Sequence, residues 1–426
     1  MLTKRLNHIV KSVIIAGVML FAAPLFSQVV TLDECVRQAR EHSVNPKKIE
    51  HLRRIESLSE ENLQKGYLPK LDLQGNVSYQ SDVFSIPLSF PGSEIPDIPR
   101  DQYNFSLNLS QKIYDGGVTA VNRQLNKTDF EIQKNQVEVA SYILKKRVTQ
   151  LYFGVLSTNE NLKILQAALN EIENQEKRII ASYEEGITLK SVVNSLRKEK
   201  LDIENQIRSQ RNKKISFINS LSLWTGRKLD SNGSFTTPVE PILKNEIERP
   251  ELRVYQAQQS KLESKKELIR ASYSPKLSAY ATTGYANPNP LNFFEVEWSD
   301  YYVLGARFKW SFWNWNESGR KREVLEARKS LIDKERENYL TSLQSKQIQL
   351  LADIDNVSHA IATIEQQYEL QEEILAEARF RFEEGVMSAS DYLSEVNEHT
   401  ELAQKLAFQR LLLIKHKIDF NILTGN

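Results

Sequence analysis

The chain has 426 residues, with 56 Lys and Arg against 55 Asp and Glu, and a mean hydropathy of −0.46. This length suffices for two or more domains. The balanced charge, and the lack of a basic cluster interleaved with aromatic residues, argue against a nucleic-acid partner. The single Cys35 cannot form an intrachain disulfide, and we expect it to pack as a small apolar residue on a helix.

The N-terminal segment 1–27 has the features of a secretory signal peptide. Its basic region contains Lys4, Arg5 and Lys11. The apolar stretch that follows, 13–23, is too short to span a membrane as a helix. No cysteine follows the expected cleavage after Ser27, so we expect an exported protein without a lipid anchor. No later segment has 18 consecutive apolar residues, which argues against a helical membrane span.

Each half of the chain is predicted to open with helices. Thr31 and Glu34 form a capping box before the first helix. The dipeptide 45–46 (Asn-Pro) interrupts that helix, and its proline suits the first turn of the next one. In the second half, 249–252 (Arg-Pro-Glu-Leu) opens the corresponding helix.

Both halves then alternate apolar and polar residues with period two, which predicts two β-hairpins, 69–114 and 275–313. One face would carry Asn, Gln and Ser and the other Leu and aromatic residues, which suits a wall between lipid and water. Two soluble hairpins packed as a sandwich are the alternative. The long helical segments beside them, however, offer no globular core for such sheets to join.

Four strands cannot close a membrane barrel, because small barrels need about eight strands. Several chains must therefore share one barrel, and three chains would give an even number of strands, twelve in all. The predicted fold class is thus an α+β membrane protein whose β-barrel is shared by several chains.

The chain contains an internal two-fold repeat, because 115–226 aligns with 314–425 at a constant shift of 199 residues. Tyr-Glu-Glu-Gly at 183–186 matches Phe-Glu-Glu-Gly at 382–385. We therefore divide the chain into a first repeat (28–226), a linker or small side element (227–248) and a second repeat (249–426).

In both copies apolar residues recur in alternating steps of three and four, which predicts left-handed coiled coils. The predicted long helices are 117–183 and 317–382, each on the order of 100 Å long. The predicted return helices are 191–225 and 390–424. An ordinary coiled-coil rod would show the same pattern.

Four of the five tryptophans lie in or beside the last predicted strand: Trp298, Trp310, Trp313 and Trp315. The last two suit a belt at the membrane–water interface. Packing where a barrel meets a helical tunnel is an equally good interpretation.

No catalytic, cofactor-binding or metal-binding site is predicted. The six histidines are scattered without an H-E-x-x-H or Cys–His spacing. The serines lack a G-x-S-x-G elbow. An exported enzyme is therefore the least favoured interpretation.

Taken in order, these features resemble the TolC family of outer membrane efflux proteins (outer membrane factors). The resemblance covers nearly the whole mature chain and depends on the following ordered set: 31–34 (Thr-Leu-Asp-Glu), 45–46 (Asn-Pro), 67–71 (Tyr-Leu-Pro-Lys-Leu), 115–117 (Asp-Gly-Gly), 249–252 (Arg-Pro-Glu-Leu) and the two Glu-Glu-Gly turns. It implies a homotrimer whose 12-stranded β-barrel lies in the outer membrane, in contact with its lipid. A long α-helical coiled-coil barrel would continue this β-barrel as a tunnel in the periplasm of a Gram-negative cell. It also implies a passive exit duct that works with a periplasmic adaptor (membrane fusion) protein and with an inner-membrane pump or a type I secretion ABC exporter.

The resemblance assigns roles to the two predicted helix turns. Gly186 and Gly385, with Tyr183 and Phe382 beside them, would lie at the periplasmic tip where adaptors dock. The alternative for each glycine is a C-terminal cap that merely ends the long helix.

The resemblance also implies a gate of carboxylates and polar bonds at this tip. Asp391 falls on a family aspartate, and three copies would form a ring that favours cations. Glu395 lies beside the next family position. Met387 stands where the best-known member has arginine, and Ser191 where it has threonine, so the bonding of that gate does not carry over. Our hypothesis is that Lys190 pairs with Asp391 or Glu395; a solvated Lys190 is the alternative.

Three interpretations remain at this stage. The first is the outer-membrane exit duct. The second is a periplasmic coiled-coil adaptor or structural protein, which should have one helical hairpin and no paired amphipathic strands. The third is the enzyme. The sequence does not identify the exported cargo or the pump.

Overall fold

The computed structural model describes residues 29–84, 97–231, 233–292 and 294–426. The predicted signal peptide, 1–27, lies outside them. The helices are α1 (Leu32–His42), α2 (Asn45–Lys65), α3 (Val118–Glu184), α4 (Lys190–Thr225), α5 (Pro250–Ser272), α6 (Glu317–Glu383) and α7 (Ala389–Thr424). The strands are β1 (Val29–Val30), β2 (Lys70–Tyr79), β3 (Asp101–Tyr114), β4 (Ser234–Phe235), β5 (Lys276–Asn287) and β6 (Ser299–Lys309).

The compact units of the fold do not coincide with the two sequence repeats. A helical unit comprises Met1–Val44, Ser141–Ile247 and Ser345–Asn426. A sheet unit comprises Asn45–Ala140 and Glu248–Gln344. Each unit contains matching parts of both repeats, because the 67-residue helices α3 and α6 each contribute one part to either unit.

The capping box predicted before α1 is only half formed. Thr31 Oγ1 accepts a hydrogen bond from the Glu34 backbone N–H at 3.3 Å. The Glu34 carboxylate instead accepts from Gln38 Nε2 at 2.7 Å, one helical turn later. The competing amide explains why the reciprocal bond of the box is absent among the described contacts.

The sheet unit contains an antiparallel sheet with strand order β2-β3-β5-β6. β6 ends at Lys309, four residues before the predicted end of the second hairpin at residue 313. The partner strand explains the difference, because Lys309 pairs with Lys276, the first residue of β5. Pro275 precedes that residue and begins no further ladder.

The sheet has a polar and an apolar face, as its alternation predicts. Its most buried side chains, Ser106, Ala286 and Tyr301, all belong to the polar face. The apolar face is the exposed one; Leu73 is 81% exposed and Leu304 is 72% exposed. This burial is the reverse of that in a soluble sheet, whose apolar face packs on a core.

The strand-to-helix junctions of the two repeats share a backbone conformation but not a sequence. Gly116 and Gly117 have positive φ (74° and 88°), and so do Trp315 and Asn316 at the equivalent positions (51° and 56°). In the first copy the buried Asp115 holds the turn. Its carboxylate accepts hydrogen bonds from Tyr67, from the backbone N–H of residues 117 and 119, and from the hydroxyl of residue 119. The second copy makes the turn with a tryptophan, which rarely adopts this conformation.

The predicted linker, 227–248, packs into the core of the helical unit. β4 pairs in parallel with β1, and Leu229 and Phe235 join the main hydrophobic cluster. Tyr152 is fully buried there, and its hydroxyl lies 2.8 Å from the Val30 carbonyl and 2.7 Å from the Thr236 carbonyl. The segment is therefore part of the fold rather than a spacer.

Cys35 belongs to the same cluster and is 1% exposed, which confirms its predicted packing role. Burial raises the pKa of its thiol to about 11. The described helices include no segment whose apolar stretch could span a lipid bilayer.

Candidate helix-tip site

The turns that join α3 to α4 and α6 to α7 end the long helices in the same way. Gly186 donates to the Tyr183 carbonyl and Ile187 to the Ser182 carbonyl, at 3.0 and 2.8 Å. The equivalent bonds of the second turn start from residues 385 and 386 and measure 3.1 and 2.9 Å. This pair of bonds is a Schellman motif, and the positive φ of its glycine (78° and 74°) completes it. Both glycines are therefore helix caps.

The surface around these glycines remains accessible although they cap the helices. A Cβ atom built on Gly186 or Gly385 would meet nothing within 4 Å. The next residues, Ile187 and Val386, are 73% and 68% exposed. Each tip therefore presents a bare backbone beside an uncovered apolar side chain.

The aromatic residues before the two turns differ in exposure. Tyr183 is 42% exposed, whereas Phe382 is only 5% exposed. The Phe382 ring stacks on the Tyr392 ring, with 4.6 Å between centroids. Phe382 is thus a packing residue of the chain, and only Tyr183 of this pair is accessible.

The predicted gate carboxylates already have partners within the chain. Ser388 is the N-cap of α7; its Oγ accepts from the Asp391 N–H at 3.1 Å and donates to Asp391 Oδ2 at 2.7 Å. Glu395 accepts from Gln371 Nε2 at 2.7 Å. In the described part of the chain, the exposed Lys190 forms no ion pair with either carboxylate.

The other two predicted gate residues have different surroundings. Ser191 is exposed in the first turn of α4, where its carbonyl accepts from Ser195 Oγ at 3.0 Å. Met387 is half-buried and packs against the hydrophobic cluster of the tip.

Sequence reasoning missed a partly buried polar network next to this site. Glu171 Oε1, on α3, accepts from Arg379 Nε on α6 at 2.8 Å and from the Tyr392 hydroxyl on α7 at 2.6 Å. Gln175, which is 3% exposed, donates to Glu171 at 3.4 Å and to Glu383 at 3.1 Å. Three helices are thus tied together by one cluster of hydrogen bonds.

The protonation of this network follows from its hydrogen bonds. Burial alone would raise the pKa of Glu171, but the bonds from Tyr392 and the Arg379 guanidinium outweigh it and hold the pKa below its usual value. Burial and the Glu171 carboxylate both raise the pKa of Tyr392. Glu171 is therefore the charged acceptor and Tyr392 the neutral donor.

A signal for the network was present in the repeat. At a shift of 199 residues, Glu171, Arg379 and Tyr392 align with apolar residues of the other copy. Those counterparts are Leu370, Ile180 and Val193. Three polar residues at positions that are apolar in the other copy mark where the copies diverge.

Comparison with known proteins supports this architecture. Residues 61–212, about a third of the chain, match the model of the Outer membrane efflux protein family. No curated protein sequence matches the chain.

Solved outer-membrane channels share the fold over most of the chain. The outer membrane protein VceC of Vibrio cholerae has a TM-score of 0.68 at 14% identity, covering 93% of this chain and 96% of VceC. The Campylobacter jejuni CmeC outer membrane channel has a TM-score of 0.67 at 16% identity, covering 92% and 85%. CusC has a TM-score of 0.71 at 13% identity, covering 93% and 92%.

The chain therefore has the fold of these outer-membrane channels. The match of residues 61–212 to the outer membrane efflux protein family confirms the predicted resemblance to the TolC family.

Proposed function

We propose that the chain is one third of a passive exit duct of a tripartite efflux or type I secretion system. Three copies share a 12-stranded barrel in the outer membrane, and their long helices form a coiled-coil barrel in the periplasm. A periplasmic adaptor docks at the helix tips, and an inner-membrane pump or exporter supplies the energy.

The observation that carries this proposal is that the sheet has two open edges and an exposed apolar face. β2 and β6 have no strand partner on their outer edges in the described part of the chain, and the face between these edges is apolar and exposed. An open edge in lipid would leave backbone groups unpaired. Three antiparallel pairings separate β2 from β6, so the two strands run in opposite directions. β6 of one copy can therefore pair antiparallel with β2 of the next, and the ring can close.

The long helices give independent support. Large apolar side chains along them remain uncovered in the single chain. Examples on α6 are Leu331, Ile348, Leu370 and Ile374, which are 60%, 70%, 61% and 48% exposed. Helices of neighbouring copies would bury them.

Disulfide cross-linking between the edge strands tests the shared barrel. In a Cys35→Ser background, we would place single cysteines along β2 and along β6 and isolate the outer-membrane fraction. Pairs of one β2 and one β6 cysteine should yield covalent dimers and trimers under oxidation. Cysteines on β3 and β5, which are interior strands, serve as controls and should not. Absence of cross-links for every β2–β6 pair would contradict the shared barrel.

For the helix tip, we propose that Asp391 contributes to a ring of carboxylates from three copies. Its bond to Ser388 leaves the other carboxylate oxygen without a described partner in the chain. Asp391→Asn should lower the cation selectivity of single channels in a lipid bilayer. Unchanged selectivity would rule out the ring. Lys190 forms no ion pair with Asp391 or Glu395 within the described chain, so it is left to bind a neighbouring copy or solvent.

A further inference from the structure

The polar face of the sheet carries its positive charge at one end. The five cationic side chains of this face are Lys70, Lys112, Lys276, Arg307 and Lys309. We call them the basic band. Every one lies at the end of its strand that adjoins a helix, because β2 and β5 begin there and β3 and β6 end there.

The strand register places these residues in three adjacent rows. In the first row, Lys276 pairs with Lys309. In the second row, Ser278 on β5 pairs with Lys112 on one side and with Arg307 on the other. Lys70 lies in the third row. Three rows extend about 14 Å along the strands, so the five cations share one small area.

The structure shows little to neutralise this charge. No member of the band forms an ion pair within the described residues. Among these residues, the one cation–π contact of the band is between Arg307 and the Tyr280 ring, at 5.3 Å. The same face carries a single carboxylate, Asp72, so five positive charges less one negative charge leave +4 for each copy. The nearby Asp115 is buried and saturated by hydrogen bonds.

Such a cluster of like charges is unfavourable unless a bound anion offsets the repulsion. Like charges that are directly opposite on neighbouring strands repel and destabilise the pair, and Lys276 and Lys309 are such a pair. Rings of Lys and Arg that line a pore select anions and phosphate groups. The band lies on the polar face, away from the apolar face that would meet lipid.

We propose that the basic band is a binding site for anionic groups, carboxylate or phosphate, in the lumen of the barrel, and that it makes this end of the conduit favour anionic solutes. This inference rests on the proposed exit duct and names a substrate class for it. Three copies would place 15 cations and three Asp72 carboxylates around the lumen, a net +12.

The test uses the full chain in planar bilayers of neutral phosphatidylcholine under a KCl gradient. One variant combines Lys112→Gln, Lys276→Gln and Arg307→Gln. The matched control removes the same number and kind of charges from α2 of the same unit. It combines Lys47→Gln, Lys48→Gln and Arg53→Gln, all exposed residues without a described ion pair. Native mass spectrometry verifies that each variant assembles like the parent protein; single substitutions replace the triple variant if it does not.

The band variant should lower the permeability ratio of chloride to potassium by about threefold or more, while the control should leave it unchanged. Inorganic pyrophosphate should block the parent channel, and its half-blocking concentration should rise about tenfold in the band variant. An unchanged ratio together with unchanged block, or an equal change in the control, would overturn the proposal.

Two further outcomes separate this inference from its alternatives. If the band variant loses co-purifying anionic phospholipid but keeps its permeability ratio in neutral lipid, the band binds lipid headgroups and the proposal is wrong. If the assembled parent protein does not conduct, the proposed function fails instead. Calorimetric titration of the detergent-solubilised parent and variant with pyrophosphate then still decides whether the band binds anions.

Discussion

Glu171 shows how a single, partly buried carboxylate can hold three helices together. Its oxygen receives a guanidinium and a phenol from two other helices. Hydrogen bonds to charged acceptors are about twice as strong as neutral ones. The closely stacked rings of Phe382 and Tyr392 pack beside this bond. We therefore expect the network to set the stability of the helix tips.

Replacing Tyr392 by Phe should destabilise the chain by about 1.5–3 kcal/mol, because the partly buried Glu171 carboxylate loses the donor that a fully buried tyrosine supplies. The ring stack on Phe382 is kept, so the change isolates the hydroxyl. The loss of helical circular dichroism on heating measures it. Tyr183→Phe, at the exposed tyrosine of the other tip, is the control and should cost less than about 0.5 kcal/mol. Equal midpoints for the two variants would contradict a structural role for the bond.

The same bond predicts a pH dependence. Because the folded pKa of Glu171 lies below its ordinary value of 4.5, its stabilisation is fully present above that value. The stabilisation is lost as the pH falls through the folded pKa. The difference in thermal midpoint between the parent and Tyr392→Phe should therefore be constant near neutral pH and shrink below pH 4.5. A difference that stays constant into strong acid would show that Glu171 is not the acceptor that matters.

At the scale of single elements, the sheet depends on two glycines that make room for tyrosine rings. A Cβ on Gly305 would lie 2.6 Å from Tyr280 ring atoms. A Cβ on Gly284 would lie 2.6 Å from Tyr301 but also 2.7 Å from the Phe105 carbonyl oxygen. A side chain can move away from such a contact, whereas a strand backbone in register cannot.

Alanine variants of the two glycines should therefore differ in whether a second substitution, at the contacting tyrosine, restores them. Gly305→Ala and Gly284→Ala should each cost about 1–3 kcal/mol and lower the yield of assembled protein in the outer membrane. Adding Tyr280→Ser should restore the yield of Gly305→Ala. Adding Tyr301→Ser should not restore Gly284→Ala, because the backbone contact remains. Rescue of both variants, or of neither, would contradict this account of the strand spacing.

The helix turns allow docking to be separated from capping. Asn tolerates positive φ, so Gly186→Asn and Gly385→Asn should keep the helices folded while adding a side chain to the open surface. If adaptors dock on the bare backbone, both variants should weaken adaptor binding about tenfold or more, a loss of about 1.4 kcal/mol or more.

Gly117→Asn is a matched control, because that glycine also has positive φ and open space around it but lies at a strand-to-helix junction. Binding to the adaptor, measured by calorimetry, should be unaffected by it. If all three variants bind equally well, the tip glycines act only as caps.

Across the whole molecule, periodic patterns predicted the elements well. The alternation of 69–79 and 101–113 fixed which face of each strand is apolar, and steps of three and four fixed the two 67-residue helices to within one residue at each end. These patterns are local and repeat many times, so a few exceptions do not obscure them.

Features that depend on a distant partner could not be predicted in this way. The end of β6 depends on where β5 starts, and the packing of 227–248 depends on β1. The Lys190 hypothesis did not take account of Ser388 and Gln371, which donate hydrogen bonds to the two carboxylates within the chain. The division into two units could not be predicted either, because its boundaries fall within continuous helices, where the sequence pattern does not change.

The central claim is that three chains build one channel. Native mass spectrometry of the outer-membrane fraction, extracted in detergent, tests it most directly. We expect a species with the mass of three mature chains that needs detergent to stay in solution. A monomer that stays soluble without detergent would contradict the shared barrel and favour a periplasmic coiled-coil adaptor or rod.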